Sequence, residues 1–282
     1  MTIKPRAAVI GDPINHSLSP KLHNFWLQKY HINGSYEAIH VKAEELDSAV
    51  KSMVEAGYAG FNVTIPHKEK IFQLCQTKTA KALLTKAANT ITISNNHTLI
   101  ADNSDCDGFL NNLKFSQPNF ELKNQNAFLI GAGGAARAIV YTLINSEVKN
   151  IFISNRNAEK AQNLIADFQN FAAEKKVHLK FLAEDTFATQ LENCDLLINS
   201  TSLGMQGQPK LKINLNHLKK TAIVYDIVYK PLITELLKTA QSQGNQIVTG
   251  LGMLAFQGMV GFENWFGKKP EIDEELLKIL LK

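Results

Sequence analysis

At 282 residues the chain has room for two domains of ordinary size, and an apolar share of 45% supports a packed core in each. A formal charge of +4 is too mild to point to nucleic acid or an anionic membrane surface as a partner, and no apolar run is long enough to span a bilayer. Cys75, Cys106 and Cys194 are odd in number and far apart, the eight histidines show no ligand spacing, and Met1-Thr2-Ile3-Lys4-Pro5 has no signal-peptide character; the expectation is a protein of a reducing cytoplasm with no disulfide framework and no metal.

In chain order, Ala7-Ala8-Val9-Ile10 reads as a short buried strand broken by Gly11-Asp12-Pro13. A loop runs to Ser19-Pro20, where Ser19 as N-cap and Pro20 as the first helical residue predict a helix to about Tyr30. Residues 36–41 read as a strand and 44–56 as a helix stopped by Gly57. Gly60-Phe61-Asn62-Val63-Thr64 reads as a strand, with Pro66 opening the next helix, and residues 90–94 and 98–101 predict a hairpin across Asn95-Asn96. A helix is expected from Asp107 to about Phe115, followed by a polar stretch, Ser116-Gln117-Pro118-Asn119, near which a domain boundary falls. From Ala127 onward strand and helix alternate, with further strands at Leu196-Leu197-Ile198 and Ala222-Ile223-Val224-Tyr225; that alternation argues for a parallel, doubly wound sheet. Amphipathic helices are expected over residues 253–265 and 271–281.

The richest stretch is Gly131-Ala132-Gly133-Gly134-Ala135-Ala136-Arg137-Ala138, between the apolar run Ala127-Phe128-Leu129-Ile130 and a helix-like run to Ile144. Strand, tight glycine turn and helix N-terminus make an anion site suited to a dinucleotide pyrophosphate. The next strand ends in Asn155-Arg156-Asn157, with no acid to accept from a ribose 2′-hydroxyl. Arg156 suits a 2′-phosphate instead, and Lys160 follows one turn later, so the reading is NADP(H).

The first hundred residues hold three polar groups. Ser17 and Ser19 lie two apart on a loop after a strand, where two hydroxyls can donate to one carboxylate. Asn62 and Thr64 share a face of their strand by its period of two, and Lys68 falls in the first turn of the following helix, where the dipole disfavours a cation and suits an amine that passes a proton. Asn103-Ser104-Asp105 follows the hairpin; Asp105 is placed to orient a hydroxyl or hold a protonated Lys68, and equally to cap the helix at Asp107.

Taken together these segments resemble the shikimate dehydrogenase family. The loop Gly11-Asp12-Pro13-Ile14-Asn15-His16-Ser17-Leu18-Ser19-Pro20 is similar to its substrate-carboxylate loop, and Asn62-Val63-Thr64-Ile65-Pro66-His67-Lys68 to its catalytic-lysine segment. Ala88-Asn89-Thr90, Asn103-Ser104-Asp105, the glycine turn with Asn155-Arg156, Asn199-Ser200-Thr201-Ser202-Leu203-Gly204-Met205, Tyr225-Asp226-Ile227-Val228-Tyr229 and Gly250-Leu251-Gly252-Met253-Leu254-Ala255-Phe256-Gln257 follow in family order. The resemblance implies an α/β fold: an N-terminal α/β substrate domain (residues 1–105 and 250–282), a doubly wound Rossmann NADP-binding domain (106–249), and a cleft between them. It implies reversible reduction of 3-dehydroshikimate to shikimate in aromatic amino-acid biosynthesis, by a monomer or homodimer.

Residue by residue, it implies that Ser17 and Ser19, with Tyr229 nearby, hold the substrate carboxylate. Thr64, Asn89, Asp105 and Gln257 would hold the ring hydroxyls, with Asn62 a weaker candidate. Lys68 would take the proton from the reacting hydroxyl during oxidation, positioned by Asp105. The cofactor residues implied are Gly131, Ala132, Gly133, Gly134, Ala135, Asn155, Arg156, Asn157, Lys160, Thr201 and Ile227, with Gly250 and Met253 near the nicotinamide. Ser104 and Asn157 stand where the family more often has Thr, and Lys160 where a second arginine is frequent, which weakens bidentate phosphate binding. Two other readings stay open: a broad quinate/shikimate dehydrogenase using NAD, against which Arg156 argues, and a dinucleotide-binding sensor, against which the Lys68 and Asp105 pair argues.

Overall fold

The computed structural model describes residues 4–281 and divides into two compact units, one formed by the residues up to Gly108 with those from Leu254 onward, the other by Phe109–Met253. Met1-Thr2-Ile3, part of the stretch read for a signal peptide, lies outside the described residues. Among the described residues no helix is long and apolar enough to cross a membrane.

The first unit runs β1 (Arg6–Gly11), α1 (Ser19–Lys29), β2 (Ser35–His40), α2 (Leu46–Glu55), β3 (Gly60–Val63), α3 (Lys68–Leu74), β4 (Thr77–Lys78), α4 (Ala80–Thr85), β5 (Thr90–Ile93), β6 (Leu99–Asp102) and α5 (Asp105–Ser116), whose last turns pass into the second unit. Its six-stranded sheet has the order β2-β1-β3-β5-β6-β4. β2, β1 and β3 are parallel, and the expected hairpin places β5 antiparallel to both β3 and β6. Ala8, Ile10, Phe61, Val63, Ile71 and Ile91 form the centre of one core, all buried. Strands covered on both faces read as unbroken apolar runs, which is why β1 and β3 were visible in the sequence.

Three local readings change. Ser19 is the first residue of α1 and not its cap: Leu18 holds the cap position with no side-chain cap bond, and the Ser17 hydroxyl, two residues before Ser19, accepts from the Ser19 amide at 3.3 Å. Pro66 does not open α3. Ile65–Pro66 is a cis peptide within a turn, and the helix begins at Lys68 after His67, whose ring is held by the Val41 carbonyl at 2.7 Å. Asp105 is the first residue of α5 and caps nothing; its own amide donates to Asn103 Oδ1 at 3.3 Å.

The second unit runs β7 (Asn126–Ile130), α6 (Gly134–Asn145), β8 (Asn150–Ser154), α7 (Ala158–Glu174), β9 (His178–Phe181), α8 (Glu184–Phe187), β10 (Leu196–Asn199), β11 (Ile223–Asp226), α9 (Glu235–Ser242) and β12 (Gln246–Val248). Its strands pair in parallel in the order β12-β11-β10-β7-β8-β9, the doubly wound sheet that the alternation predicts. Read from β9, this is the Rossmann order, and the order reverses between β7 and β10, where such sheets bind ligands beyond the strand ends. The chain then enters α10 (Gly250–Phe266), which leads back into the first unit, and ends in α11 (Glu274–Leu281). There Trp26 Nε1 donates to the Glu271 carbonyl at 3.0 Å and Lys29 pairs with Asp273, fastening the segment before α11 to α1.

Candidate active site

In the first unit, the polar residues singled out from sequence converge on Asn89. Its Nδ2 donates to Asp105 Oδ1 at 2.7 Å and to Gln257 Oε1 at 3.1 Å. Its Oδ1 accepts from the Ser104 amide at 2.8 Å and from the Ser104 and Thr90 hydroxyls at 3.1 Å each. With every polar atom of the amide engaged, the side chain has one orientation, and that orientation fixes Asp105. The other carboxylate oxygen of Asp105 accepts from Lys68 Nζ at 2.5 Å, so α3 and α5 meet tip to tip through a charge-assisted bond. Asp105 is only 5% exposed; the ammonium partner makes burial of its charge tolerable.

Behind this group Asn62 is buried, donating to the Asn89 carbonyl at 3.1 Å and to Thr90 Oγ1 at 3.2 Å, and accepting from the Tyr36 hydroxyl at 2.7 Å. The Tyr36 ring stacks on His23 with centroids 3.9 Å apart. His23 is fully buried, neither ring nitrogen has a hydrogen-bond partner, and burial pushes its imidazole down to about 3. Thr64 is half-buried just past β3, and its amide donates to the Ile10 carbonyl at 3.0 Å. The loop of Ser17 and Ser19 is laced to this segment by the Asp12 amide on the Ile65 carbonyl at 2.9 Å. Gly11 is required for that approach, since a Cβ there would stand 2.3 Å from Thr64 Cγ2. Ser17 is half-buried and Ser19 buried.

In the second unit the glycine turn lies between β7 and α6. Gly131 has φ +116°, and a side chain on it would come within 2.5 Å of Ser200 Oγ. Gly133 precedes the first residue of α6, and nothing stands within 4 Å of where its Cβ would be. Open space there, and first-turn amides at Gly134, Ala135 and Ala136 without intrahelical acceptors, form a cradle that fits a pyrophosphate. Arg156 is exposed two residues past β8, beside the turn through the Gly131 amide on the Ser154 carbonyl at 2.8 Å. Asn155 donates to the Asn157 carbonyl at 2.8 Å; Asn157 caps α7 by accepting from the Lys160 amide at 3.0 Å; the Lys160 side chain is exposed. The residues present therefore fit a dinucleotide with an extra phosphate.

On the other side of the switch point, the Thr201 hydroxyl donates to Asn199 Oδ1 at 2.7 Å, while Asn199 Nδ2 donates to Asp226 Oδ1 at 2.9 Å. Asp226 also accepts from Thr234 Oγ1 at 2.7 Å and the Val228 amide at 3.0 Å, yet burial pushes its carboxyl up to about 6. Ile227 follows Asp226; the Gly250 amide donates to the Val228 carbonyl at 3.3 Å, and Met253 is buried in the same unit. Tyr229 is half-buried on the loop after β11 and belongs to this unit, whereas Ser17 and Ser19 belong to the first.

The structure adds Thr90, Ser104 and Tyr36 to the residues that shape the site. The Thr90 and Ser104 hydroxyls lie 2.8 Å apart and grip the same amide oxygen. The sequence signal was present at Ser104, which lies in the Asn103-Ser104-Asp105 segment singled out after the hairpin. Among the described residues there is no group of three or more His, Cys, Asp or Glu able to hold a metal ion.

Fold and site together define a two-unit α/β dehydrogenase built around a dinucleotide-binding sheet. Family models match in order along the chain: a shikimate dehydrogenase substrate binding domain over residues 9–91, shikimate / quinate 5-dehydrogenase over 114–229, and a shikimate 5′-dehydrogenase C-terminal domain over 250–274. The chain is 42% identical over 272 residues to the shikimate dehydrogenase (NADP(+)) of Dinoroseobacter shibae, covering 96% of this chain and 95% of that one. The chain belongs to the shikimate dehydrogenase family. Among solved structures it resembles shikimate dehydrogenase from Aquifex aeolicus, with a TM-score of 0.87 and 31% identity over 100% of this chain and 99% of that one. It also resembles the Thermus thermophilus shikimate 5-dehydrogenase solved with NADP(H) and shikimate, with a TM-score of 0.84 and 30% identity over 98% of this chain and 97% of that one.

Proposed function

We propose that the chain catalyses the reversible, NADP-dependent reduction of 3-dehydroshikimate to shikimate, a step of aromatic amino-acid biosynthesis. The observation that carries this reading is the Lys68–Asp105 pair held in one orientation by Asn89. When bound, NADPH supplies the hydride. Lys68 gives a proton to the carbonyl oxygen as that oxygen gains charge, so the ketone leaves as an alcohol; in oxidation the same amine takes the proton back. Asp105 keeps the ammonium aimed. The Ser17 and Ser19 hydroxyls donate to the substrate carboxylate, and Thr64, Asn89, Asp105 and Gln257 take the ring hydroxyls.

The first unit is accordingly proposed as the substrate domain and the second as the NADP domain; the limits read from the sequence, 1–105 with 250–282 and 106–249, stand three or four residues from the unit limits at Gly108 and Leu254. The glycine turn and α6 amides hold the pyrophosphate, Arg156 the 2′-phosphate with Lys160 beside it, and Thr201, Ile227, Gly250 and Met253 the nicotinamide end. The setting proposed is cytoplasmic, as a monomer or homodimer.

The test is steady-state oxidation of shikimate with NADP and with NAD in parallel, followed by nicotinamide absorbance. Fast turnover with NADP and little with NAD is expected. Preference for NAD or for quinate moves the chain to a broader specificity, and NADPH binding without turnover leaves a sensor.

A further inference from the structure

The segment that carries Asp105 is gripped from outside the site by one side chain. Lys81, on α4, places its Nζ 3.2 Å from Asp102 Oδ2 and also donates to Asp107 Oδ2. Asp102 ends β6 and Asp107 lies in the first turn of α5, so the two carboxylates flank Asn103-Ser104-Asp105. The rest of α4 reinforces the grip. The Thr79 hydroxyl, at its cap, donates to Asp102 Oδ1 at 2.6 Å, and Asn103 Nδ2 donates to Thr85 Oγ1 at 3.1 Å. Three carboxylates fall within six residues here, and without a cation between them Asp102 and Asp107 would repel each other and Asp105.

We propose that Lys81 is a positioning residue for the reaction: by bridging Asp102 and Asp107 it closes the turn that sets Asp105 against Lys68. This rests on the proposed role of the Lys68–Asp105 pair. Neither Lys81 nor its two carboxylates is among the residues assigned to substrate or cofactor, so its loss acts through the placement of Asp105: chiefly on the rate of proton transfer, to a smaller degree on shikimate binding through the ring hydroxyl that Asp105 takes, and not on NADP binding. A displacement of the order of 1 Å at a catalytic group costs up to about a hundredfold in rate, and a turn still tethered at Thr79 and Thr85 moves less than that.

The experiment compares Lys81→Met and Lys81→Arg with wild type and with Lys68→Ala, in shikimate oxidation with NADP. Lys81→Met is expected to lower kcat about tenfold, with KM for NADP within about twofold of wild type and KM for shikimate raised by less than kcat falls, and Lys81→Arg to recover most of the rate. Asp107→Asn, at the more exposed end of the bridge, is expected to lower kcat in the same direction, and the double variant Lys81→Met with Asp107→Asn to be no slower than Lys81→Met alone. An unchanged kcat in folded Lys81→Met, equal losses in the Met and Arg variants, or losses that add with Asp107→Asn overturn the proposal. Lys68→Ala separates the two readings: if it is inactive while Lys81→Met is normal, only the bridge fails, and if it is fully active, the proton-transfer reading fails first.

Discussion

Acid should weaken the first unit through His23. Its ring is fully buried among Trp26, Tyr36, Phe262 and Trp265, with both nitrogens unpartnered. A charge there has no solvent and no counter-ion, so burial lowers the pKa from 6.5 to about 3. The unfolded chain therefore binds the proton first. Stability from this group is complete above pH 6.5, falls as the pH drops, and stops falling when the folded ring protonates near 3. Each pH unit in that window is worth about 1.4 kcal/mol, so about 2 kcal/mol is gone by about pH 5 and about 5 kcal/mol is at stake in full. Asp226 opposes this. Its carboxyl is raised from 3.8 to about 6, so the stability that it contributes is complete below 3.8 and lost as the pH rises through about 6. The clean quantity is the difference between wild type and His23→Phe, which keeps a stacked ring on Tyr36 and removes the titration. Urea unfolding read by tryptophan fluorescence suits the purpose, because the only two tryptophans, Trp26 and Trp265, lie 5.6 and 5.7 Å from the His23 ring. The difference should shift by about 2 kcal/mol in favour of the variant between about pH 7 and about pH 5. A difference that does not move with pH refutes the neutral, unpaired imidazole.

The other predictions concern named contacts. Ser17→Ala should raise KM for shikimate about tenfold or more with kcat little changed, the loss of one hydrogen bond to a charged group; an unchanged KM removes Ser17 from the carboxylate site. Arg156→Ala should weaken NADPH binding at least tenfold and leave NADH nearly unaffected; equal losses for both would mean no 2′-phosphate contact. In Asp226→Asn the deficit in stability against wild type should narrow by about 2 kcal/mol between about pH 4 and about pH 6, since only the wild type loses a buried proton over that range. A constant deficit would show that Asp226 is ionised throughout.

How far the fold was legible depended on how each element is buried. β7 and β10 are covered on both faces, so Phe128, Leu129, Leu196, Leu197 and Ile198 form runs that no loop would carry. β9 and β12 end the second sheet, and β4 has only two residues; His178 and Lys180 alternate outward, and a short half-polar strand has no signal of its own. Ser19 looked like a cap because Ser-Pro before an apolar run is the usual helix start, but Leu18 holds the cap position and the helix already includes Ser19. Within the site, Lys68, Asn89 and Asp105 were readable because motifs carry them. The pairing of Thr90 with Ser104, and of Tyr36 with Asn62, was not, since each joins separate segments through a hydrogen bond that only tertiary structure creates.

The central claim is that Lys68, aimed by Asp105, moves the proton. It is tested most directly by the turnover of Lys68→Ala with shikimate and NADP, alongside shikimate binding to the same variant by fluorescence titration. The account predicts a loss of about a hundredfold to ten-thousandfold in kcat with binding within a few-fold of wild type. A variant that turns over at near the wild-type rate, or one that loses shikimate binding in proportion to its loss of rate, would contradict it.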